Sequence, residues 1–103
     1  MELRNLDQVV GRKRYRTNTA TLLADDVYWD GNNHERSGRN TFLLKGPGGS
    51  YFAVYQSMWQ GETDRLNPLS VDEAVALYEQ LSQCCAPAVP FEEAFPQVKL
   101  EEA

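Results

Sequence analysis

No apolar run in the sequence approaches the roughly 20 residues that cross a bilayer, so no membrane is expected as a partner. The opening stretch MELRNLDQVVGRKRYR has no apolar core ahead of a small-residue cleavage site, and Glu2 and Asp7 interrupt its basic residues; it reads as neither a secretory nor a transit peptide. A cytoplasmic location is expected. Cysteine is nearly absent: Cys84 and Cys85 are the only two, and they are adjacent. A disulfide between neighbours is strained and staples nothing, so they read as reduced thiols, with a dimer linked through them as the alternative. The single histidine, His34, lies far from both, without the ligand spacing of a zinc site. Asp25, Asp26 and Asp30 do not follow the spacing of a calcium loop. No metal and no cofactor is therefore expected. The chain also lacks a Gly-x-Ser-x-Gly elbow. Gly46-Pro47-Gly48-Gly49 is not a phosphate loop, because neither Gly-Lys-Ser/Thr nor a helix start follows it.

What is present is ordinary globular composition, 42% hydrophobic and 24% charged over 103 residues, which suits one domain. The formal charge of -5 is unevenly placed. Residues 1–45 carry eight Lys/Arg against six Asp/Glu, whereas residues 46–103 carry two against nine. Such asymmetry implies an oriented electrostatic surface.

The clearest elements lie in the second half. TFLLK and SYFAVYQSMW flank Gly46-Pro47-Gly48-Gly49, which predicts a β-hairpin over about residues 41–59. On its second strand Tyr51, Ala53 and Tyr55 alternate with Phe52, Val54 and Gln56, so both faces are partly apolar and the strand is central. Ser70-Val71-Asp72-Glu73 is a capping box, and Ala74, Leu77, Tyr78, Leu81 and Cys85 share one face of a helix over about residues 71–84. Residues 8–16 read as a strand or an extended arm. Residues 17–29 favour a strand, with a short helix capped by Thr17 or Asn18 as the alternative. DGNNHERSGRN (residues 30–40) and QGETDRLNPL (residues 60–69) read as polar loops. The expected architecture is α+β: an antiparallel sheet of three or four strands with the main helix across one face. Residues 1–86 form the domain, and residues 87–103 are a Pro- and Glu-containing tail, docked or mobile.

Three kinds of surface compete for function. His34-Glu35-Arg36 with Asp30 is the only acid–base set, and the rest of the chain assigns no roles around it, so no catalytic residue is expected. Arg12, Lys13, Arg14, Arg16, Arg36 and Arg39, with Tyr15 and Tyr28, make a basic aromatic surface suited to nucleic acid. The overall acidity, with an isoelectric point near 4.8, opposes encounter with phosphate, so direct nucleic-acid binding is not expected. The third surface is acidic. Asp25, Asp26, Asp30, Glu62, Asp64, Asp72, Glu73 and Glu79, with Trp59 as an aromatic anchor, are the candidate partner-binding residues.

Residues 14–81 resemble a group of small accessory proteins of phages and other mobile elements. The resemblance rests on Tyr15 to Ala20, Arg39 to Leu43, Gly49 to Phe52 and Pro68 to Ala74. It implies a fold and a genetic neighbourhood more than an activity. Some small acidic phage proteins are anti-CRISPR inhibitors, and several of those resemble DNA. The expected function is accordingly a non-enzymatic, monomeric anti-defence inhibitor in the host cytoplasm. Its partner would be a host protein or CRISPR effector complex, bound through an acidic surface that blocks DNA access. The alternatives are a DNA-binding accessory protein using the basic half and a small nuclease-like enzyme using His34 and Glu35.

Overall fold

The computed structural model describes residues 3–26, 39–57, 61, 63–83 and 85–102. An extended segment leads into β1 (Asp7–Val10) and β2 (Lys13–Arg16), followed by a 3₁₀ turn at Thr17–Thr19. Then come β3 (Thr21–Asp25), β4 (Arg39–Lys45), β5 (Tyr51–Ser57), β6 (Arg65–Leu69), helix α1 (Val71–Ser82) and the single turn α2 (Phe91–Ala94). Strands β3-β4-β5-β6 form an antiparallel meander, and β1-β2 form a separate ribbon. The fold is α+β, with one main helix near the C-terminal end, as the sequence pattern predicts.

The alternation along β4 and β5 divides the core in two. Leu43 and Tyr51 face α1 and the C-terminal segment, in a cluster with Leu23, Ala24, Ala74, Tyr78, Leu81, Ala94 and Phe95. Phe42, Leu44, Phe52 and Val54 face the opposite way, under Tyr15 of the ribbon and with Leu66 of β6. Period-two geometry makes this division unavoidable once both faces are apolar. One irregularity adjusts it. β3 slips register between Leu22 and Ala24, pairing them with Leu44 and Leu43. The extra residue, Leu23, lets Leu23 and Ala24 both join the helix side.

Both covers are fastened by hydrogen bonds. On the helix side Tyr51 Oη donates to the Ala94 carbonyl at 2.6 Å, and Tyr78 Oη to the Val89 carbonyl at 2.8 Å. The amides of Ala88 and Val89 both donate to the Leu23 carbonyl, at 3.0 and 3.1 Å. Phe95, fully buried, has its ring centroid 4.8 Å from Tyr51, 5.0 Å from Phe91 and 5.6 Å from Tyr78. Of the two readings of residues 87–103, the contacts made by residues 88–98 are those of a docked segment. On the other side the Thr17 hydroxyl accepts from the Leu6 amide at 2.9 Å and donates to the Arg4 carbonyl at 3.0 Å. The Arg4 amide donates to Gln56 Oε1 at 2.8 Å, which gives a buried amide side chain its partner.

Two expectations are corrected. Residues 65–69 are not loop: they form β6, with Pro68 opposite Phe52. An edge strand tolerates proline because one of its sides has no neighbour to receive an N–H. Residues 8–16 belong to a hairpin whose Gly11-Arg12 corner has φ of 57° and 66°. Positive φ at both central residues is the geometry of a type I′ turn, whose twist matches the strands. The main helix, expected over about residues 71–84, spans Val71–Ser82, and the Gln83 amide turns back to the Gln80 carbonyl at 3.3 Å.

Candidate interaction surfaces

The capping box positions the acidic start of α1. The Ser70 hydroxyl accepts from the Glu73 amide at 3.2 Å, and Glu73 Oε1 accepts from the Ser70 amide at 2.9 Å. That backbone hydrogen bond, reinforced by the serine side chain, holds the Glu73 carboxyl below its ordinary range. Asp72 and Glu79 are exposed on the same helix. Proline 90 precedes α2, which presents Glu92 and Glu93 to solvent, and Glu101 and Glu102 follow on the same segment. Burial, with the Glu92 charge second, pushes the Tyr78 phenol upward, so it stays a neutral hydrogen-bond donor to Val89. The carboxylates of Asp72, Glu79, Glu92, Glu93, Glu101 and Glu102 make no hydrogen bond or ion pair among the described residues.

The structure separates the other candidate carboxylates from this group. Asp64 is only 11% exposed: Arg4 Nη1 reaches its two oxygens at 2.7 and 2.9 Å, and the Ser57 amide donates to it at 3.2 Å. It ties the N-terminal segment to the sheet. Asp26 Oδ1 accepts from the Thr41 amide at 2.8 Å and from Asn40 Nδ2 at 3.2 Å, which fastens the end of β3 to β4. Asp25 is half-buried at the end of β3. Asp30, Trp59 and Glu62 lie outside the described residues, as do Tyr28, His34, Glu35 and Arg36. Among the described residues no group of three or more His, Cys, Asp or Glu is placed to hold a metal ion.

The ribbon carries the opposite charge on the opposite side of the sheet. Arg12, Lys13, Arg14 and Arg16 are exposed. Arg14 is bidentate to Asp7, with Nε–Oδ1 of 2.8 Å and Nη2–Oδ2 of 2.6 Å, and its hydrogen bond holds the Asp7 carboxyl below the usual range. Lys13 Nζ meets Ser50 Oγ at 3.2 Å across a shallow cleft bounded by Arg16 and the Gly46–Gly48 turn.

A groove on the acidic side lay beyond sequence reasoning. Val75, Tyr78 and Glu79 of α1 face Phe91, Val98 and Leu100 across a cavity of about 510 Å³. Comparisons of the chain with protein-family models, with curated proteins and with solved structures found no match.

Proposed function

We propose that the protein is a non-catalytic inhibitor of the anti-CRISPR kind, acting in the cytoplasm of a host cell. It binds a nucleic-acid-handling complex through the acidic side and keeps DNA out. The observation that carries this reading is the set of six unpaired, exposed carboxylates on α1, α2 and the following segment. Lys99 is the only basic residue from position 70 onward. Carboxylates held on a packed scaffold offer fixed negative charge to lysines and arginines that otherwise hold phosphates.

The test is capture of the complex from host lysate, followed by competition with duplex DNA. Binding should weaken as salt rises, and DNA should displace the protein. Glu79→Lys combined with Glu92→Lys should slow association by about tenfold while the fold is kept, as rim charges act mainly on encounter. Binding that ignores both salt and charge reversal, with DNA still entering the complex, would sink the reading.

The ribbon supports a second reading, an accessory protein that binds DNA directly, because Arg12, Lys13, Arg14 and Arg16 are all exposed on one short hairpin with Asp7 as its one acid. It requires the isolated protein to retard DNA at physiological salt and Arg12→Ala with Arg16→Ala to abolish that shift.

A further inference from the structure

The acidic side is not uniformly polar. At its centre lies the groove between α1 and the C-terminal segment, about 510 Å³ in volume, within the range of roughly 300–1,000 Å³ typical of binding pockets. Leu100 at its mouth is 58% exposed, one of two large hydrophobic residues left that open among the described residues. Val75, Phe91 and Val98 line it and are half-buried, packed on the helix-side core but not covered by it.

Charge surrounds this apolar slot. Helical spacing sets Asp72, Val75, Glu79 and Ser82 along one stripe of α1, so a carboxylate stands a turn before and a turn after Val75. Glu92 follows Phe91, and Glu101 and Glu102 follow Leu100. Glu79 is the acid that lines the slot itself, and along the other wall Glu92, Glu101 and Glu102 outnumber the one base, Lys99, between Val98 and Leu100. The ligand complementary to the slot has an apolar stripe with cations on both flanks. From Val75 to Gln83 the helical wall is about 12 Å long, a little over two turns of a docked helix.

We propose that this groove receives a basic amphipathic helix of the partner, with its apolar anchors one turn apart in the slot and its lysines or arginines against Glu79, Glu92 and the carboxylates after Leu100. The proposal rests on the acidic-side reading and deepens it. Charge brings the partner in, and the slot selects among cationic surfaces by shape. A uniformly charged DNA competitor would lack the second component.

Two synthetic peptides of identical composition separate these components. One is helical, with leucines at i, i+4 and i+7 and lysines elsewhere; in the other the leucines are shuffled off a common face. Fluorescence anisotropy with the intact protein should show the striped peptide binding about tenfold or more tighter, the scale of burying one leucine. Leu100→Ser should remove most of that preference, and Leu100→Met should keep it, with unchanged melting in both variants. Equal, salt-sensitive binding of the two peptides would overturn the groove while leaving the acidic-side reading intact. Failure of both to bind would overturn both. A preference that survives Leu100→Ser would place the site elsewhere and also overturn the proposal. Self-association of the protein that Leu100→Ser abolishes would make a second copy the occupant, and overturn it too.

Discussion

The two sides of the sheet are covered by different means. On the helix side a mutually packed aromatic group, Tyr51, Tyr78, Phe91 and Phe95, is brought together by α1 and the segment that follows it. On the ribbon side a single aromatic from the cover, Tyr15, meets Phe52 edge-on at 5.4 Å. There the N-terminal segment is held down by polar contacts of Thr17, Gln56 and Asp64. Both covers use hydrogen bonds, but the helix side adds a far larger aromatic contact area. Area is forgiving of small displacements, whereas a buried hydrogen bond is lost when one partner is removed.

The sharpest way to break the comparison is Phe95→Ala. A fully buried phenylalanine at the centre of the aromatic group should cost about 3–5 kcal/mol, read from urea denaturation, and amide exchange should accelerate throughout the helix side. On the ribbon side, Thr17→Val keeps the shape and deletes the hydroxyl that serves both Leu6 and Arg4. About 1–3 kcal/mol should be lost, with faster exchange at the Leu6 amide and little change in α1. Equal exchange responses on both sides would show that the covers are not independent.

Ser70→Ala should cost about 1 kcal/mol and act on α1 alone. The pH dependence of the capping box has a definite sign. The Glu73 carboxyl is lowered in the folded state, so its contribution is present above the ordinary carboxyl range and is lost as pH falls through the folded value. The stability gap between wild type and Glu73→Gln should narrow on acidification, as thermal melts across that range would show. The smallest effect runs the other way. Arg12 sits at φ of 66°, a region costly for a residue with a Cβ. Arg12→Gly should stabilise the ribbon by about 0.5 kcal/mol, relief of strain exceeding the added freedom of the unfolded chain. A loss of stability would mean the arginine side chain has contacts that outweigh its backbone.

The same contrast governs what the sequence discloses. α1 is legible because its cap, its apolar spacing and its burial agree over consecutive residues. The β4–β5 hairpin is legible from its glycine turn and the alternation of Tyr51 to Gln56. β6 is not, because Asn67-Pro68 imitates a loop and the burial of Leu66 depends on a strand far from it in sequence. The ribbon is obscured by its charges and by an arginine where Asn-Gly would announce the turn. Among the candidate site residues, Asp72 and Glu79 sit where helical spacing puts them. The role of Asp64 was invisible, since its partner Arg4 lies 60 positions away and nothing local distinguishes a latched carboxylate from a solvated one.

An open sheet exposes two rows of unpaired backbone groups, and these are where chains stick to one another. Here β6 carries Pro68, which withholds a donor from any newcomer. On β3 the Leu23 carbonyl, displaced by the bulge, is already taken by Ala88 and Val89. A second molecule that sought to extend the sheet past β3 would first have to peel away the segment that delivers Phe95 to the core. Aggregation resistance and core integrity are thus the same event seen from two directions. Loosening of residues 88–95 would unplug the core and uncover an adhesive edge together, so variants weakened there should precipitate at temperatures where variants equally weakened at the ribbon stay dispersed.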